Sequence, residues 1–186
     1  EELRERPHIF ILTTSVQGGK TSACITLREK MKNDGIGVCG IISPGTFREN
    51  QREAFYIENA GNGESMLLAT KKYRSGWFRF KRFYFNPAGF DRGWSWIQKC
   101  LIKPADVFFL DEVGHLELRH QGWYRILQHV KDRREMLQVW TVRKKLAHEV
   151  ADTYLIPRRH IIDLDKTPSR KIYKELKKHL EQTGRG

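Results

Sequence analysis

Residues 8–21 read His8-Ile9-Phe10-Ile11-Leu12-Thr13-Thr14-Ser15-Val16-Gln17-Gly18-Gly19-Lys20-Thr21. The first six are a short apolar, β-rich run. The next eight fit x-x-x-x-x-G-K-[ST], and a helical pattern starts at Lys20. Strand, loop and helix N-terminus, in that order, make the geometry in which backbone N–H groups and the positive helix end hold phosphate oxygens. The helix is expected from Lys20 to Asn33: Ala23, Leu27 and Met31 recur at i, i+4 and i+8, and Lys30 and Lys32 suit the dipole of its last turn. Gly35 closes it. Val38 to Ser43 is the next buried-type strand and completes a βαβ unit of the length a parallel sheet requires.

Working outward, the character changes between about residues 44 and 87. Ala54 to Glu58, Ser65 to Ala69 and Trp77 to Phe85 are β-type stretches separated by turns such as Gly61-Asn62-Gly63, so an antiparallel insertion at one edge of the sheet is expected. Pro87 opens a helix to about Ile102, and Asp106 to Leu110 is an uninterrupted apolar strand of the buried parallel kind. Helix, strand and helix follow at Gly122 to Asp132, Met136 to Val142 and Arg143 to Tyr154. A strand at His160 to Leu164 and a basic amphipathic helix from Ser169 to about Glu181 end the chain. The alternation gives an α/β fold, a mainly parallel sheet with helices on both faces. At 186 residues, one domain over residues 1–186 is the expectation.

The loop sets out a phosphate site residue by residue. Ser15, Val16, Gln17, Gly18, Gly19, Lys20, Thr21 and Ser22 would wrap the phosphates. Lys20 would reach the β- and γ-phosphates, and the Thr21 hydroxyl would bind Mg2+. Thr14 stands where the pattern has its first glycine. A β-branched residue at positive φ costs about 1–2 kcal/mol, so either the loop is reshaped there or φ is negative.

Val107-Phe108-Phe109-Leu110-Asp111-Glu112 supplies the second motif, four apolar residues and then two carboxylates, the pattern of a Walker B strand. The carboxylates fall where the strand leaves the sheet, the end at which open α/β sheets bind ligands. Asp111 would hold Mg2+, and Glu112 would orient or deprotonate the attacking water. Arg143, after a later strand, has the position of a transition-state cation or of a surface residue beside Lys144 and Lys145.

Asp111-Glu112-Val113-Gly114-His115-Leu116-Glu117-Leu118 resembles the D-E-[IV]-G-x-[LM]-E-L segment of the thermophile-type nucleoside-triphosphatase family, a group that includes the cancer-related nucleoside triphosphatase. Ile41-Ile42-Ser43-Pro44-Gly45 with the β insertion, and Val142-Arg143, are similar to a bacterial branch of it. The resemblance spans roughly Pro7 to Asp165. It implies a compact P-loop NTPase fold and slow, Mg2+-dependent hydrolysis of several nucleoside triphosphates, ATP, GTP or others. Thr14 and Gln17 depart from the family loop, which commonly has glycines there. Glu117 is expected to be a structural partner of the loop after the Walker B strand.

Composition narrows the setting. The net charge of +12 calls for an anionic partner and exceeds what one triphosphate needs. Lys71 to Phe85 interleaves six cations with six aromatics from Trp77 onward, which suits single-stranded nucleic acid or, more plainly, an edge hairpin with its rings turned inward. Cys24, Cys39 and Cys100 lack C-x-x-C spacing and an even count, so neither disulfide nor zinc is expected and a cytoplasmic location fits best. The histidines are scattered and read as ordinary surface or core residues. No apolar run approaches the roughly 18 residues that span a bilayer, and Glu1-Glu2-Leu3-Arg4 lacks the layout of a signal peptide, so no membrane contact is expected of this segment. The chain starts without Met, as an excised piece of a longer protein would. Two rivals to hydrolysis share the site: a kinase, in which a hydroxyl acceptor replaces water, and a nucleotide-dependent switch that binds nucleic acid or protein.

Overall fold

The computed structural model describes residues 4–184; Glu1 to Leu3, part of the N-terminal reading above, lie outside them. The first βαβ unit forms as its residue pattern dictates: β1 (Ile9–Thr13), α1 (Gly19–Asn33) and β2 (Val38–Ile42). β8 (Val107–Val113), β9 (Leu137–Val142) and β10 (Ile161–Asp163) join them in a parallel array ordered β10-β1-β9-β8-β2. Successive residues of β8 point to opposite faces. Val107 and Phe109 pack under α1 and α6 (Ser169–Gln182), while Phe108 and Leu110 pack toward α2 (Pro87–Ile102), α4 (Tyr124–Val130) and α5 (Ala147–Thr153). Along α6, Ile172, Tyr173, Leu176 and Leu180 are buried and the lysines face out, so this basic helix docks on the sheet.

The insertion extends the same sheet beyond β2. Strands β3 (Gly45–Arg48), β4 (Gln51–Asn59), β5 (Ser65–Thr70), β6 (Phe78–Phe80) and β7 (Phe83–Phe85) pair antiparallel, with β4 against β2 through Ile41↔Asn59 and Ile42↔Glu58. Among the described residues the order is therefore β10-β1-β9-β8-β2-β4-β5-β7-β6, with β3 on β4. Trp77 to Phe85 forms the expected edge hairpin, in which Lys81 at φ 53° reverses the chain. Its rings are not all inward: Phe83 and Phe85 are buried, whereas Phe78 is 45% exposed and Tyr73, just before it, 74%. Gly40 has a backbone reason to be glycine, since at φ 118° a Cβ would lie 2.0 Å from the Phe109 carbonyl oxygen.

Two expectations need correction. Arg143 to Tyr154 is not one helix: a 3-10 turn at Lys144–Leu146 precedes α5 (Ala147–Thr153). Cys39 on β2 and Cys100 on α2 form a disulfide across 61 residues, leaving Cys24 free and buried, whereas unpaired cysteines were expected. Spacing is uninformative here, because what brings the two sulfurs together is the packing of α2 on β2. Among the described residues no helix is long and apolar enough to cross a membrane.

Candidate nucleotide site

All the motif residues gather at the carboxyl ends of β1, β8, β9 and β10, the edge at which open parallel sheets bind ligands. The loop after β1 turns into α1 through Gly18, which caps the helix in the left-handed region at φ 76°. Thr14 solves the problem of the missing glycine with its side chain. Its φ is not positive, its Oγ1 donates to Asp165 Oδ1 at 2.5 Å, and the same oxygen accepts from Val16 N at 3.1 Å. Ser15 donates from N and Oγ to Asp165 Oδ2 at 3.1 and 2.6 Å, and Lys144 Nζ reaches that oxygen at 3.1 Å. The hydroxyls of Ser15 and Thr14, then the Ser15 N–H and the Lys144 ammonium, hold the Asp165 carboxyl well below the usual carboxylate range. Asp165 thus ties down the first half of the loop from 150 residues away. Nothing in the motif pointed to it.

The second half of the loop leads into Lys20 and Thr21. Lys20, in the first turn of α1, is only 8% exposed and makes no ion pair among the described residues. Thr21 Oγ1 donates to Asp111 Oδ2 at 2.7 Å, which joins the phosphate loop to the Walker B strand directly. The same oxygen accepts from Ser43 N at 3.0 Å, and Thr141 Oγ1 donates to Asp111 Oδ1 at 2.5 Å. Burial, and then the charge of Glu112, push the Asp111 carboxyl up, against these hydrogen bonds.

Glu112 does not sit at the end of β8, as expected, but within it, at an irregularity in the β8–β9 register between Leu110 and Val113. Its φ is 66°, a conformation costing a non-glycine residue about 1–3 kcal/mol that persists where surroundings enforce it. Here Glu112 N donates to Thr141 Oγ1 at 2.8 Å, and Arg52 Nη1 from β4 pairs with Glu112 Oε1 at 3.1 Å. Arg52, 6% exposed, stacks over Phe55 and Phe47, 4.3 and 5.1 Å from their ring centres. The sequence reading missed Arg52, whose only local signal was a cation in an apolar-alternating strand.

Two cavities flank the Arg52–Glu112 pair. One, of about 370 Å³, is lined by Val16, Gln17, Gly18, Gly19, Thr21 and Ser22, with Arg52 and Phe47 on its far side. The other, of about 410 Å³, contains Glu112, Glu117 and the exposed Arg143 among aromatic walls. Arg143 therefore borders Glu112's cavity rather than the loop's. Glu117 accepts from Gly114 N at 2.9 Å and Trp123 N at 3.2 Å, holding α3 (His115–Leu118) to the start of the following segment. Burial raises its carboxyl to about 7 despite those donors, and the charge of Glu112 adds to the rise.

The oxygen donors suit Mg2+. A threonine hydroxyl and a carboxylate oxygen are hard ligands, and Ser43 Oγ beside them is buried with no hydrogen-bond partner among the described residues. No group of three or more His, Cys, Asp or Glu side chains gathers as a metal cage among the described residues.

The fold and the loop have known counterparts. The model of the NTPase family matches residues 8–176. The nucleoside-triphosphatase THEP1 of Archaeoglobus fulgidus is 26% identical over 165 residues, covering 88% of this chain and 93% of the relative. That of Methanopyrus kandleri is 29% identical over 126 residues, 68% of each. In structure, a human cancer-related nucleoside triphosphatase superposes with a TM-score of 0.64 at 17% identity, over 93% of this chain and 97% of that one. THEP1 from Aquifex aeolicus gives 0.62 at 17%, over 90% and 96%. The family match spans the strand, loop and carboxylate pair described above, and the chain belongs to the NTPase family as a nucleoside triphosphatase.

Proposed function

We propose that the chain hydrolyses Mg2+-bound nucleoside triphosphates to the diphosphate and phosphate, with broad base specificity and slow turnover. The observation that carries this reading is the 2.7 Å hydrogen bond from Thr21 to Asp111, which sets the two motif residues suited to Mg2+ side by side beneath the phosphate loop. Bound there, the ion would neutralise phosphate charge. Lys20 and the loop N–H groups, Gly18 to Ser22, would hold the phosphates. Asp111 stays oriented by Thr141 and Ser43, and Glu112 would accept a proton from the attacking water.

Broad specificity follows the descriptions of the relatives, which name nucleoside triphosphates and no single base. Slow turnover is supported by the Arg52–Glu112 pair, since it engages Oε1 and leaves Oε2 to meet the attacking water. A cytoplasmic location loses the support of unpaired cysteines, because Cys39 and Cys100 are paired.

Phosphate release from MgATP, MgGTP, MgCTP and MgUTP by the wild-type chain and by Lys20→Ala tests the proposal. All four substrates should be hydrolysed, and the variant should lose release and bind triphosphate more weakly. Equal turnover in Lys20→Ala would remove the phosphate-loop assignment.

A further inference from the structure

The cavity beside Glu112 is far larger than an attacking water requires. At about 410 Å³ it falls within the roughly 300–1,000 Å³ of small-molecule sites, whereas one water occupies about 30 Å³. Its apolar lining is largely aromatic: Phe80, Phe83 and Phe85 come from the β6–β7 hairpin, joined by Phe90 of α2 and Trp123. Phe85 packs on Phe90 and Phe90 on Trp123, with ring centres 6.0 and 4.8 Å apart, so these rings form one continuous aromatic wall. Its charged lining includes Lys81, Arg82 and Arg143, all exposed at the surface. The two carboxylates present are already engaged, Glu112 by Arg52 and Glu117 by two backbone N–H groups. His115, also on the lining, is held below its ordinary value by burial and then by Lys81, Lys145, Arg143 and Arg119, so the local field is positive. A planar aromatic body with an anionic group attached fits such a lining.

The base of the hydrolysed nucleotide is a poor match for it. Glu112 belongs to the γ-phosphate end of the reaction, and a base hangs beyond the β- and α-phosphates and the ribose. It would have to fold back past the Arg52–Glu112 pair, which lies between the two cavities.

We propose that this aromatic cavity is a second nucleotide site, which takes the base of another nucleotide unit against its aromatic wall and the phosphate of that unit on Lys81, Arg82 and Arg143. The unit comes from a free nucleoside monophosphate or from the end of a single strand. Beyond the cavity, Lys72, Arg74 and Arg79 and the exposed rings of Tyr73 and Phe78 continue along the hairpin where further nucleotides of a strand would run. An occupant displaces water from Glu112, so it lowers phosphate release without competing for the phosphate loop. The kinetic part of this inference rests on the hydrolysis reading; the binding part does not.

The test is calorimetric titration of AMP, GMP, CMP, UMP and a 5′-phosphorylated ten-nucleotide oligothymidylate into wild-type chain and Lys20→Ala, with MgATP hydrolysis measured at increasing ligand. Expected is binding of at least one ligand that survives Lys20→Ala and weakens about tenfold in Phe80→Ala and in Arg82→Glu. In the wild-type chain that ligand should lower kcat with KM unchanged. Melting curves verify folding, and the exposed position of Arg82 keeps the test open should Phe80→Ala not fold. A strand is the source if the oligonucleotide binds at least about tenfold tighter than the monophosphates and loses affinity with salt at roughly 0.7 in log K per phosphate; equal affinities make it the free nucleotide. Binding abolished by Lys20→Ala, or inhibition that raises KM alone, would place the ligand in the loop cavity and overturn the proposal, as would no binding of any of the five at millimolar concentration. Failure of the hydrolysis reading shows separately, as unchanged phosphate release in Lys20→Ala.

Discussion

Replacing Glu117 by glutamine puts the electrostatics of the Glu112 cavity on a measurable scale. The Glu117 side chain is buried, and its carboxyl rises from an ordinary 4.5 to about 7, chiefly because ionising it there forfeits hydration. At about 1.4 kcal/mol per tenfold change in proton affinity, the ionised folded form is disfavoured by about 3 kcal/mol. The folded pKa lies above the unfolded one, so the folded chain holds more protons between pH 4.5 and pH 7. The stability linked to Glu117 is therefore full below about pH 4.5 and is lost as pH rises through about 7. Glutamine stays neutral throughout. Its amide nitrogen would face one of the two N–H groups that the carboxylate accepts, a constant penalty that offsets the curve without tilting it. In paired thermal melts from pH 4.5 to pH 8, the wild-type advantage over Glu117→Gln should shrink by about 3 kcal/mol, or roughly 6–12 °C for a chain of this size. A difference that is flat, or that grows with pH, would mean that the Gly114 and Trp123 donors outweigh burial and that the carboxylate is charged throughout.

Three further expectations follow from the site. Glu112→Gln should retain MgATP affinity in equilibrium binding but lose about 10²- to 10⁴-fold in kcat, while Asp111→Asn should also raise the Mg2+ concentration needed; a loss under tenfold in Glu112→Gln would move the base elsewhere. Asp165→Ala removes the acceptor shared by Thr14 and Ser15, so KM for MgATP should rise by roughly three- to tenfold with little change in melting temperature, and an unchanged KM would show that the loop holds its shape without this anchor. Thiol titration of the chain unfolded without reductant should find one reactive thiol, that of Cys24, and three would contradict the Cys39–Cys100 pairing.

What was legible in the sequence, and what was not, divides along contact distance in the chain. Gly18 to Thr21 could be read because a strand, its loop and the next helix turn are neighbours in sequence, and the phosphate geometry is made by their own backbone. Val107 to Leu110 could be read because a strand buried on both faces has to be continuously apolar. The residues that shape the site by pairing across the sheet left no such trace. Thr14 looked like a defect in a glycine position until β1 and β10 proved to be neighbours, with Thr13↔Asp163 in register and Asp165 two residues further on. Arg52 carries no motif that would single it out, yet β4 lies antiparallel beside β2, next to β8, and that order carries Arg52 to Glu112. Cys39 and Cys100 meet for the same kind of reason, through α2 lying on β2. Strand order and register are fixed by which apolar faces pack, not by the polar residue that happens to arrive beside the site. The insertion is then more than an appendage to the sheet: its β4 supplies the cation that engages the Walker B glutamate, and its β6–β7 hairpin supplies the rings that wall the cavity on the other side of that glutamate.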